Sequence, residues 1–353
     1  MASSDTDKIV ADAFRSEQLG LFPEAIEGYR RALEAQPDHV LAIARISRLL
    51  RDLRTDPPPP LKLVWQIPLE RVWETDWVRF LVSGLNVSEI VDGRHQEFHD
   101  GSIVVDNFLT PSKRAYYFEM LKRGHRFALV HLSDERYSDD YGAYSLANVV
   151  IRNYWCRLHA SDTRVLTIPL GLMNGFKLTA RKPARERRHA WSFAGNIEKS
   201  SRPAMLRTLA AIAGGHVHGS DSSGPWLLKG VANPTQPLAI ADYAELMSET
   251  VFAPCPAGWQ NLDSFRVCEA LEAGCIPIVE RRASYDYFRH LFGEHPMIAV
   301  SDWTEAPAAI AELQADPNTL EQRRLACETW WQQHKRTTAQ RVQDAIRARL
   351  SGL

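Results

Sequence analysis

The chain has 353 residues, 45% of them hydrophobic and 24% charged, with a formal net charge of −1. That composition describes a globular protein of about two to three domains, and the near-zero charge gives no general attraction to nucleic acid or an anionic membrane. Five cysteines without framework spacing, a start (MASSDTDKIV) lacking a basic region and apolar core, and no window near the ~20 apolar residues of a membrane span point to a cytoplasmic protein without a transmembrane segment.

Residues 8–53 read as helix. Ala13, Gly20, Phe22, Ala25, Tyr29, Ala32 and Pro37 fall where a tetratricopeptide repeat places its small and aromatic packing residues, and Val40 to Leu53 looks like the first helix of a following unit. One repeat and a half is too short to stand alone, so the segment must dock on the rest of the chain, on a second copy or on a protein partner. Arg54 to Leu61 holds four prolines and reads as a stiff linker.

Strands then alternate with helices. Strands are expected at Ser102 to Asp106, Phe127 to Leu132, Asn148 to Arg152 and Arg164 to Ile168, with a helix at Pro111 to Lys122. The basic stretch Lys177 to His189 interrupts them and reads as a solvated join. Beyond it come Ala190 to Ala194, a helix near Pro203 to Ala213, a strand ending at Ala253, a helix after Ser264, strands Ile276 to Glu280 and Met297 to Val300, then Trp303 to Gln314 and a long helix from about Thr319 to Leu350. The expected fold class is α/β, two facing Rossmann-like domains preceded by a short all-α segment. The expected divisions are a helical segment 1–55, linker 56–61, first α/β domain 62–183, second 184–330 and C-terminal helix 331–353.

The stretch Phe252 to Glu280 runs strand, Pro/Gly-rich loop, amphipathic helix, Gly, strand. In parallel α/β proteins ligands bind where such loops leave the carboxyl ends of strands. The loop and first helical turn hold Gly258, Asn261, Asp263, Ser264 and Arg266, with Glu269 one turn on. Such groups at a helix N-terminus suit a nucleotide diphosphate.

The pattern C-P-x-G…S-F-R…E-A-L-x-A-G-C-I-P-I over Phe252 to Pro277, with Trp191-Ser-Phe-Ala-Gly195 and Arg202 before it, resembles the exostosin-type (GT47-like) glycosyltransferases. The resemblance covers roughly residues 100 to 300 and implies a GT-B fold and sugar transfer from a nucleotide-sugar, most simply a UDP-sugar, by inversion. It implies a donor site of Gly195, Asn196, Lys199, Arg202, Gly258, Ser264, Arg266 and Glu269. Glu269 would hold the ribose hydroxyls, while Arg202, Lys199 and Arg266 would meet the departing diphosphate. Arg266 can equally form an ion pair with Asp263 or Glu269, and Gly195 can be a plain turn glycine. With no D-x-D in an expected active-site loop, no metal is assigned, and the only co-substrate is the UDP-sugar itself.

Inverting transfer needs a base for the acceptor hydroxyl. In a GT-B enzyme it should sit at a strand end of the first domain, which points to Asp134 and then Glu135; Asp134 can instead cap the next turn. His131 reads as a core histidine. Arg152, Tyr154, Asn174 and Gly175 follow strands and form the expected acceptor side, for a glycan or lipid-linked acceptor. Trp155 reads as packing, and turn geometry explains Asn174 and Gly175 as well. His95 and His99 do not make a zincin motif, and His216-Val-His218 lacks further ligands. Two alternatives stand beside the transferase: a nucleotide-sugar epimerase or hydrolase of the same fold, and a non-catalytic nucleotide-binding adaptor.

Overall fold

A computed structural model describes residues 2–37, 39–53, 60–91, 98–178, 180–220, 237–282 and 285–350. The chain divides into two compact units. The first comprises Met1–Val72, Val82–Leu166 and Gln340–Leu353, and the second Trp73–Leu81 and Thr167–Ala339.

The first unit opens with helices α1 (Ala2–Gln18), α2 (Phe22–Ala35) and α3 (Val40–Asp52). Gly28 lets α1 and α2 approach closely, because a Cβ there would sit 2.7 Å from that of Ala13. Tyr29 is buried and donates its hydroxyl to Glu17 at 2.8 Å; Arg45 and Arg48 close on the same carboxylate. The apolar faces of these helices share one hydrophobic core with the first sheet, where Ala32, Leu33, Ile46 and Leu49 join Phe98, Val104, Tyr117 and Phe127. The expected docking surface is thus supplied by the chain itself. Most of the proline linker and His95 lie outside the described residues.

The sheet is built from β1 (Leu61–Trp65), β2 (Val87–Ile90), β3 (Ser102–Asn107), β4 (Phe127–Leu132), β5 (Val149–Arg152) and β6 (Val165–Thr167), in the order β2-β1-β3-β4-β5-β6. Pairing is parallel from β2 through β5. Helix α4 (Thr75–Val82) lies between β1 and β2 in sequence, its residues through Leu81 belonging to the second unit. Helix α5 (Pro111–Lys122) joins β3 to β4, with Pro111 in its first turn and the Thr110 side chain accepting from the Lys113 N–H.

The second unit has a parallel sheet of β7 (His189–Asn196), β8 (Gly215–Ser220), β9 (Thr250–Cys255), β10 (Ile276–Glu280) and β11 (Ile298–Val300), ordered β11-β10-β9-β7-β8. Its helices are α6 (Arg202–Leu209), α7 (Ile240–Ser248), α8 (Phe265–Glu272), α9 (Tyr287–Phe292), α10 (Ala306–Gln314) and α11 (Pro317–Leu350), the last passing to the first unit at Gln340. Two Rossmann-like units of parallel strands and helices bear out the expected GT-B class. The basic stretch is no solvated join. Buried Arg187 donates to the carbonyls of Thr250 and Ala273, Arg181 pairs with Glu272, and Lys182 pairs with Glu249. Among the described residues no helix is long and apolar enough to cross a membrane.

Candidate functional site

Strand order locates a crevice in each sheet. From β7 the chain goes outward to β8 and then returns to the other side at β9; from β1 it goes to β2 and then to β3. Loops leaving such a pair diverge and open a ligand crevice at the carboxyl ends. In the second unit these loops are 197–201 and 256–264.

The positive charge gathers at the end of β7. Arg266, from the first turn of α8, turns its guanidinium back to donate to the Ala194 carbonyl and lies 4.4 Å over the Phe193 ring. Buried Arg202 approaches the same ring at 5.7 Å and donates Nη1 to the Asn196 carbonyl at 2.7 Å. Among the described residues Arg266 makes no ion pair, so the alternative with Asp263 or Glu269 gives way to a guanidinium held by main chain and ring. Gly195 is required here: its φ is +133°, and a Cβ would come within 3.0 Å of Arg266 Nη2.

Ser264 occupies the N-cap of α8 without capping it; its Oγ is buried and has no hydrogen-bond partner. Uncapped N–H groups and a buried, unpartnered hydroxyl at a helix N-terminus are the groups from which anion sites are built. One turn on, Glu269 is 2% exposed, and Met173 N–H donates to its Oε1 at 3.3 Å. Burial pushes its carboxyl up to about 7, opposed by nearby Arg266 and by the Met173 N–H.

The loops around this site are shaped by their own polar groups. Asn196 Oδ1 accepts from the N–H groups of Glu198 and Lys199, so that side chain forms the turn. Gly258 N–H donates to the Asn261 carbonyl at 2.8 Å, closing the next loop. Glu280, at the end of β10 and unmarked by the sequence reading, ties the crevice together. Its Oε1 accepts from Ser201 Oγ, from Ala257 N–H at 3.1 Å and from Trp303 Nε1 at 3.0 Å. Lys199 lies 4.3 Å from the centroid of the Trp259 ring.

Asn174 and Gly175 also fall in this unit, as turn residues. Asn174 Oδ1 accepts from Thr75 Oγ1 at 2.7 Å and Asp76 N–H at 3.1 Å, fastening the start of α4; Gly175 has φ +78° and donates to Asp76. Beside them lies Glu74, also missed by the sequence reading, its carboxyl buried and raised to about 7 by that burial against its own and the Trp73 N–H groups. The Trp73 ring is 6.2 Å from that of Phe265, the first residue of α8.

In the first unit the expected base Asp134 and the expected acceptor-side residues Arg152 and Tyr154 are all buried. Asp134 is buried with both oxygens engaged: Oδ1 accepts from Ser138 N–H at 3.0 Å, and Oδ2 from Tyr141 at 2.6 Å and Arg152 at 3.3 Å. With the side chain 2% exposed and Oδ1 taking the Ser138 N–H, this is the turn-capping role the sequence also allowed. Arg152 is 0% exposed, with the rings of Tyr137, Tyr141 and Tyr144 within 5.8, 5.3 and 5.9 Å of its guanidinium carbon. Tyr154 is buried at φ +59°. His131 is the expected core histidine, bonded to Tyr144 at 2.6 Å and Asp139 at 2.8 Å. Glu135, next to Asp134, is half-buried on the same loop.

Strain marks this rim. Phe108, Ser133 and Tyr154 all have positive φ, and each lies within two residues of the carboxyl end of β3, β4 or β5. Such backbone costs of order 1–3 kcal/mol per residue and gathers at functional sites. Phe108, at φ +47° and 63% exposed, sits where the β1/β3 crevice opens. It is held by buried Asp106, which takes Lys113 Nζ at 2.6 Å and the Asn107 N–H at 2.8 Å.

The Exostosin GT47 domain model matches residues 113–312, more than half of the chain, so the protein belongs to that family and is a glycosyltransferase. No curated protein matches it in sequence. Solved structures similar to it include an α1,3-fucosyltransferase (14% identity, TM-score 0.46, 77% of this chain and 83% of that one). A T4 phage BGT mutant in complex with UDP-glucose is similar at 13% identity, TM-score 0.47, over 83% and 99% of the two chains. The glycosyltransferase SnogD from Streptomyces nogalater is similar at 13% identity, TM-score 0.43, over 82% and 100%.

Proposed function

We propose that this exostosin-family glycosyltransferase transfers a sugar from a nucleoside-diphosphate sugar, a UDP-sugar by family expectation, to a hydroxyl of a glycan or lipid-linked acceptor. One observation carries the reading: Arg202 and Arg266 flank Phe193 beside the uncapped N-terminus of α8, a built site for a diphosphate. Two guanidiniums, the Lys199 ammonium and helix N–H groups can neutralise the leaving diphosphate as the glycosidic bond breaks, without a metal ion. Glu269 accepts from the ribose hydroxyls.

The acceptor and its base belong to the first unit. Glu135 takes the hydroxyl proton, the oxygen attacks the anomeric carbon, and the nucleoside diphosphate departs with inversion. Phe108 offers the ring on which an acceptor sugar stacks. A second reading of the base is Glu74, favoured by a carboxyl poised near 7. The exposed Leu19, Leu21 and Phe22 of the tetratricopeptide-like segment are its surface for a protein partner.

Calorimetric titration of UDP, followed by a panel of nucleotide-sugars scored by UDP release, tests this reading. Expected are micromolar to millimolar UDP binding and its loss in Glu269→Ala. No binding at millimolar UDP would remove the donor assignment. Acceptor-dependent turnover, against release or isomerisation of the sugar without acceptor, separates transferase from hydrolase or epimerase. Glu135→Gln should lower kcat by about 10²–10⁴-fold; an unchanged kcat there with a loss in Glu74→Gln would move the base to Glu74.

A further inference from the structure

Glu269 is enclosed by two elements besides its own helix. One is the turn Met173 to Phe176, which brings the Met173 N–H to Oε1 and is closed by the Phe176 N–H on the Met173 carbonyl at 3.0 Å. The other is α7, which packs against α8, β7 and β9. Its Tyr243 hydroxyl is buried beside the Glu269 carboxyl and makes no other hydrogen bond. Turn and helix are joined to each other. The Phe176 and Tyr243 rings meet edge to face at 5.9 Å, and a Cβ on Gly175 would touch Ile240 Cγ2 at 3.4 Å. Amide and phenol therefore reach the carboxyl from one packed surface. Burial and the charge of Glu269 push the phenol well above its ordinary value, so it stays protonated and acts as a donor.

We propose that Tyr243 is a positioning residue of the donor site: its hydroxyl donates to the ionised Glu269 carboxyl and keeps it an acceptor for both ribose hydroxyls. This rests on the nucleoside-diphosphate reading above. A protonated carboxyl carries a donor of its own and loses acceptor capacity, whereas a carboxylate only accepts. Forming that carboxylate out of water is costly unless donors meet it. The Met173 N–H is a long donor at 3.3 Å. The Arg266 guanidinium is near enough to favour the charged form but directs its Nη2 to the Ala194 carbonyl. Burial keeps the facing thiols of Cys255 and Cys268 neutral, the turn 173–176 has no titratable group, and Asp242 and Glu245 of α7 are exposed.

UDP titrations of the full chain at pH 6 and pH 8.5 test this with Tyr243→Phe, which keeps the ring and removes only the hydroxyl. Ribose takes the ionised form, so affinity is full above the Glu269 midpoint and falls below it. Losing one hydrogen bond to the charged form moves that midpoint, about 7 in the wild type, up by about one pH unit. Tyr243→Phe should therefore weaken UDP by about tenfold at pH 6 and by less than about twofold at pH 8.5. The titration of UDP itself is common to both proteins and cancels in their ratio. Equal weakening at both pH values, or none at either, would overturn the proposal, since a phenol that only packs has no pH signature. A second measurement needs no ligand: the gap in urea midpoint between Glu269→Gln and its parent at pH 8 should be wider in the Tyr243→Phe background. If wild type binds UDP and that gap is unchanged, only this proposal falls; if wild type binds no UDP at millimolar concentration, the donor reading falls with it.

Discussion

At the carboxyl end of the first sheet Asp134 and Arg152 form an ion pair with both side chains out of water, and His131 bonds Asp139 and Tyr144. At the carboxyl end of the second, Arg202 and Arg266 donate to main-chain carbonyls instead and lie against the face of Phe193. Both rims bury an arginine, Arg152 in the first and Arg202 in the second. A guanidinium matched by a carboxylate is finished as chemistry and holds loops in place. One that donates to a carbonyl dipole meets no opposite charge in that contact and can still pair with an anion. Partner type, more than burial, separates scaffold from site.

The largest test of that distinction is Asp134→Ala. Removing the carboxylate strands Arg152 as an uncompensated buried charge, so stability should fall by about 3–5 kcal/mol, read as a shift of the urea midpoint. UDP affinity of the folded fraction should stay within twofold, and Asp134→Ala combined with Arg152→Met should recover part of the loss. A stable Asp134→Ala with abolished turnover would instead return Asp134 to catalysis. Arg266→Met should invert the pattern, with kcat/KM for the nucleotide-sugar down about 10²–10³-fold and the urea midpoint little changed.

The sequence made the second rim more legible than the first. Phe252 to Glu280 announces its strands by continuous apolar runs and its turns by Pro and Gly, and the observed β9, α8 and β10 follow that reading closely. Whether Arg266 pairs with Glu269 or serves a ligand could not be read, because i, i+3 spacing on a helix permits both; only the fold shows the guanidinium turned back to β7. Asp134 stands at a strand's carboxyl end, as a base would, but the arginine and tyrosine that occupy it come from 18 and 7 residues away. β1 hides behind the proline run, and β8 (Gly215–Ser220) has no apolar run to set its bounds because it is an edge strand with largely exposed side chains. Glu280 carries no motif; its role in joining Ser201, Ala257 and Trp303 arises from strand neighbours that only topology supplies.

Glu269 sharpens the comparison through pH. Burial lifts its folded carboxyl from 4.5 to about 7, so the neutral form favours the fold. That contribution is complete below about pH 4.5 and is lost as pH rises through 7. Glu269→Gln cannot ionise, so it should match wild type in stability at pH 4.5 and exceed it at pH 8 by on the order of 3 kcal/mol. Denaturant titrations at the two pH values measure this, and UDP binding should be lost at both. Equal stability gaps at pH 4.5 and 8 would show the carboxylate to be ionised without cost in the fold, and its place in the site would need another reason.

The smallest expected effect is the most discriminating. A serine at a helix N-cap ordinarily accepts from the first turn, and replacing it with alanine costs about 1 kcal/mol of stability. Ser264 Oγ makes no such bond, although the position is the N-cap of α8 and the atom is buried. If that hydroxyl is kept for the diphosphate, Ser264→Ala should leave the urea midpoint unchanged while UDP affinity drops about tenfold, the worth of one hydrogen bond to a charged oxygen. A loss of stability with unchanged affinity would make Ser264 an ordinary cap, and the N-terminus of α8 would then belong with the first rim, where polar groups are satisfied by the protein alone.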